Sequence, residues 1–289
     1  MNNQQFPLFL STAIPYVNAA PHVGHALELL QADALCRHQR QRGRDVRLTG
    51  GTDDHSLKNA RAAERLGIPT EQLVAEHGEI FRRLQGALGV ELDDYVHTSR
   101  DPRHAPAVQA LWQRCFANGD LYSKAYTGRY CTGCEAFLSE AELVDGCCAT
   151  HREPVEEVQE TNWFFRLSRY QEPLLELLTS GALRVDPRER HNEVESFVRS
   201  GLLDFSVSRS RARARNFGIG VPGDDSQVIY VWFDALANYL SGLGFPENTG
   251  ELARYWGEAP AAREHLIGKD ILRFHAVYCP AILLSAGLP

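Results

Sequence analysis

The chain has 289 residues, 44% hydrophobic and 23% charged, enough for one large α/β domain or two modest ones, which excludes a disordered or low-complexity protein. No run of eighteen apolar residues occurs and MNNQQFPLFL lacks a basic segment ahead of an apolar one, so neither a transmembrane helix nor a secretory leader is expected, and the expected compartment is the cytoplasm. A formal charge of −7 argues against a free-standing DNA binder, and seven irregularly spaced cysteines favour a metal site over a disulfide framework.

In chain order, Leu8–Thr12 predicts a short apolar strand, followed by a Pro/Asn-rich loop and a helix from about His25 to Arg42 with Gly43 as its stop. Asp45–Thr49 predicts a second strand, Gly50–Gly51 a turn, and Leu57–Leu66 a helix closed by Gly67. Thr70 is positioned to cap a helix running to about Ala87, and Asp101–Pro102 carries the start signal of another. Strands alternating with helices predict a parallel sheet with helices on both faces. The alternation stops after Gly119, and Tyr122 to about Pro154 predicts a small metal-held insert. Asn162–Leu178 then predicts an aromatic strand and a helix, while Val228–Phe233 and His265–Ile267 predict buried strands of the first sheet. The arginines at 209, 211, 213 and 215 fit an edge strand or loop with one cationic side, or an ordinary solvated face.

Cys131-Thr-Gly-Cys134 and Cys148-Ala-Thr-His151 are two ligand pairs, each three apart, and together they can close around one tetrahedral ion. Thiolates with an imidazole suit Zn2+, and four protein ligands make the site structural; Cys147 is the competing ligand for Cys148. His22 and His25 flank Gly24 where the loop meets the first long helix, so both imidazoles lie beside free N–H groups and the positive helix end. That end attracts phosphate and disfavours imidazolium, so the rings suit neutral donation to an oxyanion; two surface capping histidines are the ordinary alternative. Asp53, at the end of the second strand, could hold an ammonium group or simply cap a helix. Gly218-Ile-Gly220-Val-Pro-Gly223 matches a dinucleotide fingerprint, but Pro222 and Asp224–Asp225 follow with no helical periodicity, so it is read as a turn.

Together these residues resemble the methionyl-tRNA synthetase family of class I aminoacyl-tRNA synthetases. Ala13-Ile14-Pro15-Tyr16-Val17-Asn18 with His22-Val-Gly-His25 resembles its first active-site signature. Thr52-Asp-Asp-His55 resembles its amino-group site, Val231-Trp-Phe-Asp-Ala235 its amino-acid pocket, and Ile267-Gly-Lys-Asp-Ile271 with Phe274-His275 the segment closing that pocket and the ribose site. The resemblance implies a Rossmann-like α/β fold split by a connective-peptide insert: residues 1–118, the insert 119–226 with a zinc knuckle at about 127–156, and residues 227–289. It implies His22 and His25 as catalytic groups, with Thr12, Pro15, His22, Gly24, His25, Gly268, Lys269 and Asp270 around ATP and its Mg2+. It implies Ala13, Ile14, Tyr16, Asp53, Trp232, Ala235, Leu236, Tyr239, Ile271 and His275 around methionine or a near analogue, and Cys131, Cys134, Cys148 and His151 around zinc. An aromatic pocket with one imidazole suits a soft, weakly accepting thioether.

The family's second signature, Lys-Met-Ser-Lys-Ser, is not among these residues, because the last lysine is Lys269 and the only methionine is Met1. A truncated catalytic core or a short paralogue is therefore expected, without the anticodon-binding domain. Ser56 stands where the family usually has glycine, and Cys279 where it usually has tryptophan. The expected activity is aminoacyl-adenylate formation with weak or no tRNA charging. The rivals are transfer of the acyl group to a small amine, thiol or carrier protein, and a non-catalytic binding module.

Overall fold

The computed structural model describes residues 6–134, 136–138, 140–247, 249–257 and 261–289, so Met1–Gln5 of the expected leaderless start lies outside the described residues. Leu8–Thr12 forms β1, buried along its whole length. Helix α1 runs Val23–Gln41, starting before the expected His25 because His22 itself takes the N-cap. Strand β2 spans Val46–Thr52, helix α2 Leu57–Leu66 with left-handed Gly67 at its end, and helix α3 Thr70–Ala87. Gly50 and Gly51 lie inside β2 rather than in a turn. A Cβ on Gly51 would sit 2.1 Å from the carbonyl oxygen of Val96, so this glycine serves a close strand approach. Thr70 is the first helical residue and makes no cap; Pro69 precedes it without a side-chain bond.

Strand β3 (Asp94–His97), too short and polar to stand out in the sequence, and helix α4 (His104–Ala117) complete the first half. Next come β4 (Leu121–Cys131), β5 (Ala136–Leu138), β6 (Leu143–Val144), β7 (Cys147–Cys148) and β8 (Glu156–Phe165). Helices α5 (Gln171–Ser180) and α6 (Arg188–Arg199) follow, then β9 (Phe205–Ser206), β10 (Ser208–Ser210), β11 (Gly220–Val221) and β12 (Asp224–Ile229). The chain closes with α7 (Val231–Leu236), α8 (Asn238–Ser241), α9 (Gly250–Trp256), β13 (Ala262–Leu266) and α10 (Cys279–Ser285), with a π-helical turn at Phe274–Tyr278 before α10.

The central sheet is parallel, in the order β13-β1-β2-β3. Because successive residues of β1 face opposite sides, Leu8 and Leu10 pack with Ala32 and Cys36 of α1, while Phe9 joins Val108, Leu111 and Trp112 of α4 and the late helices. Pairing of β1 with β13, at Leu8↔Ala262 to Thr12↔Leu266, joins segments about 250 residues apart. The intervening chain folds mainly as an antiparallel sheet, β5-β4-β8-β9, in which β4 and β8 pair from Leu121↔Phe165 to Tyr130↔Glu156. This is far more regular than the irregular insert expected from the sequence.

Two readings need correction. Val228–Phe233 is not a strand of the central sheet: it ends β12 of a separate antiparallel sheet, β10-β12-β11, and then begins α7. A short continuous apolar run fits a buried helix as well as a buried strand, and Tyr230, still extended, marks the change. The arginine series does lie on an edge strand, β10, and the turn that follows it, but it forms neither one cationic side nor one solvated face. Arg209 is buried with its guanidinium over Tyr230, Phe137 and Tyr130, and Arg213 lies over Tyr130, whereas Arg211 and Arg215 turn outward. The glycine series at 218–223 is a hairpin joining β11 to β12, as its proline and acidic pair suggested.

Candidate active site

The C-terminal ends of β1, β2 and β13 lie side by side, the place where open parallel sheets bind ligands. At the end of β1, α1 opens with an unusual cap: the Gly24 amide donates to His22 Nδ1 at 3.1 Å, and the His22 amide donates to His25 Nδ1 at 3.1 Å. The rings stack 3.8 Å apart, and a Cβ on Gly24 would press to 2.9 Å from the His22 ring. An Nδ1 that accepts a main-chain N–H carries no proton, so each neutral ring has Nε2–H as its free donor. Burial, and then repulsion from His22, lower the pKa of His25 and keep it neutral. Glu28, one turn further along α1, accepts the Ala13 amide at 2.6 Å, and that amide also reaches Leu266 O of β13 at 3.1 Å. Gly268 and Lys269–Ile271 follow β13 directly, with Lys269 and Asp270 exposed and paired at 2.9 Å.

Burial raises the Glu28 carboxyl to about 7, with the Ala13 amide only partly opposing it. An acid whose folded pKa is raised favours the fold at low pH and loses that advantage as pH climbs from about 4.5 to about 7. Glu28→Gln is therefore expected to raise stability by about 1–3 kcal/mol at pH 8 and by little at pH 5. Urea midpoints at the two pH values check this; equal gains at both would refute it.

Asp53, only 1% exposed, is fixed through its backbone: its amide donates to Pro15 O at 2.9 Å, and Asn59 Nδ2 donates to its carbonyl at 2.9 Å. A bridge pairs it with Tyr16. Tyr16 meets Trp232 edge-on at 6.4 Å, and Trp232 stacks on Phe274 at 3.8 Å. The Trp232 Nε1 is buried without a hydrogen-bond partner among the described residues, a donor that a ligand would satisfy. His275 Nδ1 donates to Ile271 O at 3.0 Å, which leaves Nε2 to accept the Tyr239 hydroxyl at 2.7 Å. Burial drives His275 down to about 4, so it stays neutral. Ala235 and Leu236 are buried on α7 beside Trp232, Ile14 reaches towards Gly51, and the Thr12 hydroxyl lies close to Gly50.

Cys131, Cys134, Cys148 and His151 converge, with their ligand atoms all within 4.8 Å of one another. Cys134 Sγ lies 3.6 Å from Cys148 Sγ, and His151 Nδ1 lies 3.4–3.8 Å from the three sulfurs. Metal–sulfur bonds of about 2.3 Å and a metal–nitrogen bond of about 2.0 Å give tetrahedron edges of about 3.5–3.8 Å, so this donor set fits zinc. Cys147 is not part of the cluster. Cys134→Ser is expected to lower zinc from about one per chain to well below it and to open residues 131–154 to protease, with the parallel sheet intact. Metal analysis and limited proteolysis test this; full zinc retention would defeat the assignment.

A family model described as tRNA synthetases class I (M) matches residues 8–157 and 141–289. The chain belongs to this methionyl-tRNA synthetase family. Methionine–tRNA ligases of Brucella suis and Mycobacterium bovis are each 46% identical to it, over 97% and 98% of this chain and 54% of theirs. Mycobacterium tuberculosis methionyl-tRNA synthetase in complex with methionyl-adenylate superposes with a TM-score of 0.92 at 44% identity, covering 99% of this chain and 55% of that one. The free form of the same enzyme gives 0.83 at 41% identity, with 100% and 55% covered. The chain thus spans about half the length of the methionyl-tRNA synthetases it matches. Of the two residues expected to differ from the family's usual ones, Ser56 has a local role: its hydroxyl accepts the Asn59 amide at 3.1 Å and caps α2. Cys279 is buried at the start of α10, where burial pushes its thiol up to about 12.

Sequence reasoning missed Glu28 and a buried cluster of His55, His104 and Asp234. Glu28 is an ordinary helix residue in spacing, and the other three are 49 or more positions apart, so only the fold brings them together.

Proposed function

We propose that this chain binds ATP and L-methionine, or a close analogue, and joins them into an aminoacyl-adenylate with release of pyrophosphate. The observation that carries this is the convergence, at the ends of β1, β2 and β13, of the His22/His25 cap, Asp53 and the Trp232–Phe274–His275–Tyr239 cluster. In the reaction an oxygen of the amino-acid carboxylate attacks the α-phosphorus, a new P–O bond forms, and the bond to the β-phosphate bridging oxygen breaks. The protein's work is to position both reactants and to stabilise charge spread over phosphate oxygens.

His22 and His25 would donate from Nε2 to those oxygens, with Gly24 leaving the helix N-terminus open to them. Thr12, Pro15, Gly268, Lys269 and Asp270 would border the nucleotide, whose phosphates Mg2+ accompanies. Asp53 would hold the ammonium group. Ala13, Ile14, Tyr16, Trp232, Ala235, Leu236, Tyr239, Ile271 and His275 would enclose the side chain, offering a thioether aromatic surface and a neutral imidazole. Zn2+ would hold the insert without entering the chemistry, since four protein ligands fill its coordination. The methionyl-adenylate named with the similar Mycobacterium tuberculosis structure supports this reading.

Amino-acid-dependent ATP–pyrophosphate exchange over a panel of amino acids tests it. Exchange led by methionine is expected; no exchange with any amino acid from folded, zinc-replete protein would overturn it. The acyl acceptor, tRNA or a small amine, thiol or carrier protein, is decided by charging assays on the adenylate. We expect this chain on its own to charge tRNA weakly or not at all, and to act in the cytoplasm.

A further inference from the structure

Asp234 is fully buried in α7 and bonded on both oxygens: Oδ2 takes His55 Nδ1 at 2.8 Å, and Oδ1 takes His104 Nε2 at 2.6 Å. His104, also fully buried, opens α4 and meets the Ser241 hydroxyl of α8 through Nδ1 at 3.0 Å. His55 ends the segment Asp53–Asp54–His55. That segment is otherwise gripped by Asn59, which donates to the carbonyls of Asp53 and Asp54, and by Ser99, whose hydroxyl donates to Asp54 Oδ2 at 2.6 Å. One carboxylate therefore ties the loop carrying Asp53 to the helix carrying Trp232, Ala235 and Leu236.

We propose that Asp234 is a positioning residue for the amino-acid site: acting through His55, it fixes the separation between the Asp53 carboxylate and the aromatic wall on α7. The proposal rests on the amino-acid-binding reading given above. Burial alone would raise the Asp234 pKa, but the charge and hydrogen bonds of His55 and His104 outweigh it and hold the carboxyl near 2. The same pairing raises His55 against its own burial. A buried carboxylate bonded to two imidazoles gives little stability over a packed apolar residue of the same shape, whereas it fixes direction, because each oxygen has one allowed partner. Uniform packing would not need two histidines from different elements, one of them adjacent to the Asp53–Asp54 pair.

The test compares Asp234→Asn, His55→Phe and His55→Asn, the last of which returns an N–H near the position of Nδ1. In the exchange assay, Asp234→Asn and His55→Phe are expected to raise KM for methionine by about 30- to 100-fold, in keeping with a displacement of about 1 Å in a binding group. KM for ATP should stay within about 3-fold, and His55→Asn should recover most of the loss. A folded Asp234→Asn protein with unchanged KM for methionine overturns the proposal, and so do equal losses for methionine and ATP. If wild-type protein supports no exchange, the functional reading fails first, and the 19F resonance of fluorotryptophan at position 232, assigned with Trp232→Phe, still decides the positioning claim. That resonance should shift in ligand-free Asp234→Asn and return in His55→Asn; an unmoved resonance refutes the tie between the loop and α7.

Discussion

Replacing His25 with alanine is expected to lower methionine-dependent ATP–pyrophosphate exchange by about 100- to 1,000-fold, the range for loss of one preorganised donor to a developing oxyanion. The cap geometry sets this expectation. Both Nδ1 atoms are occupied as acceptors of main-chain N–H groups, so each ring presents Nε2–H and cannot turn without breaking the start of α1. His25 is kept neutral by burial and by His22, and it leans edge-on against Phe81 at 5.1 Å, which restrains its plane. Loss of the cap itself costs about 1 kcal/mol, small beside the core, so the variant should stay folded. The loss should fall on kcat, with KM for methionine nearly unchanged, because the proposed function puts the histidines at the phosphates and not at the methionine side chain. His25→Gln, which keeps an N–H near Nε2, should recover part of the rate. Exchange within about 3-fold of wild type in His25→Ala would remove the imidazole pair from the chemistry.

What could be read in the sequence divides by range. The Cys-x-x-Cys and Cys-x-x-His pairs were legible because each pair is local and metal chemistry fixes the spacing; the fold only had to bring the two pairs together. Leu8–Thr12 was legible because a fully enclosed parallel strand is a mainly apolar run bounded by turn residues, whereas of β13 only the end was legible: the expected His265–Ile267 overlaps it at His265–Leu266, because Ala262-Arg-Glu-His-Leu266 is half-buried and carries charged residues. The same rule misled at Val228–Phe233, where an apolar run served two elements in succession. Gly50–Gly51 misled for the opposite reason: glycine was read as turn chemistry, whereas Gly51 is there to let the Val96 carbonyl approach. The long β4–β8 pairing was hidden because its strands carry charged and polar residues along an exposed surface, giving no apolar period to detect. The side-chain pairings that reach across the fold were hidden most completely. Glu28 bonds the Ala13 amide, and Asp234, although it lies inside the Val231–Ala235 motif, bonds both His55 and His104; such partners, set by the fold, leave no spacing signal.

Asp53→Asn is expected to raise KM for methionine in the exchange assay by about 30- to 1,000-fold, roughly 2–4 kcal/mol, the scale for removing one charge from a desolvated ion pair. The side chain sits at the end of β2, 1% exposed, with the Asp53 backbone held at its amide by Pro15 and at its carbonyl by Asn59, so the carboxylate has a fixed direction. Asparagine preserves the shape and one accepting oxygen, which isolates the loss of charge. The discriminating ligand is the des-amino analogue 4-(methylthio)butyrate, which keeps the thioether and the carboxylate but has no ammonium. Against wild-type protein it should compete far more weakly than methionine; against Asp53→Asn the two should compete almost equally, because the term that separates them is gone. If the variant still prefers methionine by the wild-type margin, the ammonium is held elsewhere. The conserved shape of the substitution then leaves Asp53 only the structural duty that its backbone bonds already describe. If the margin collapses while KM for ATP holds, the carboxylate at the end of β2 is the group that recognises an amino acid rather than any thioether acid.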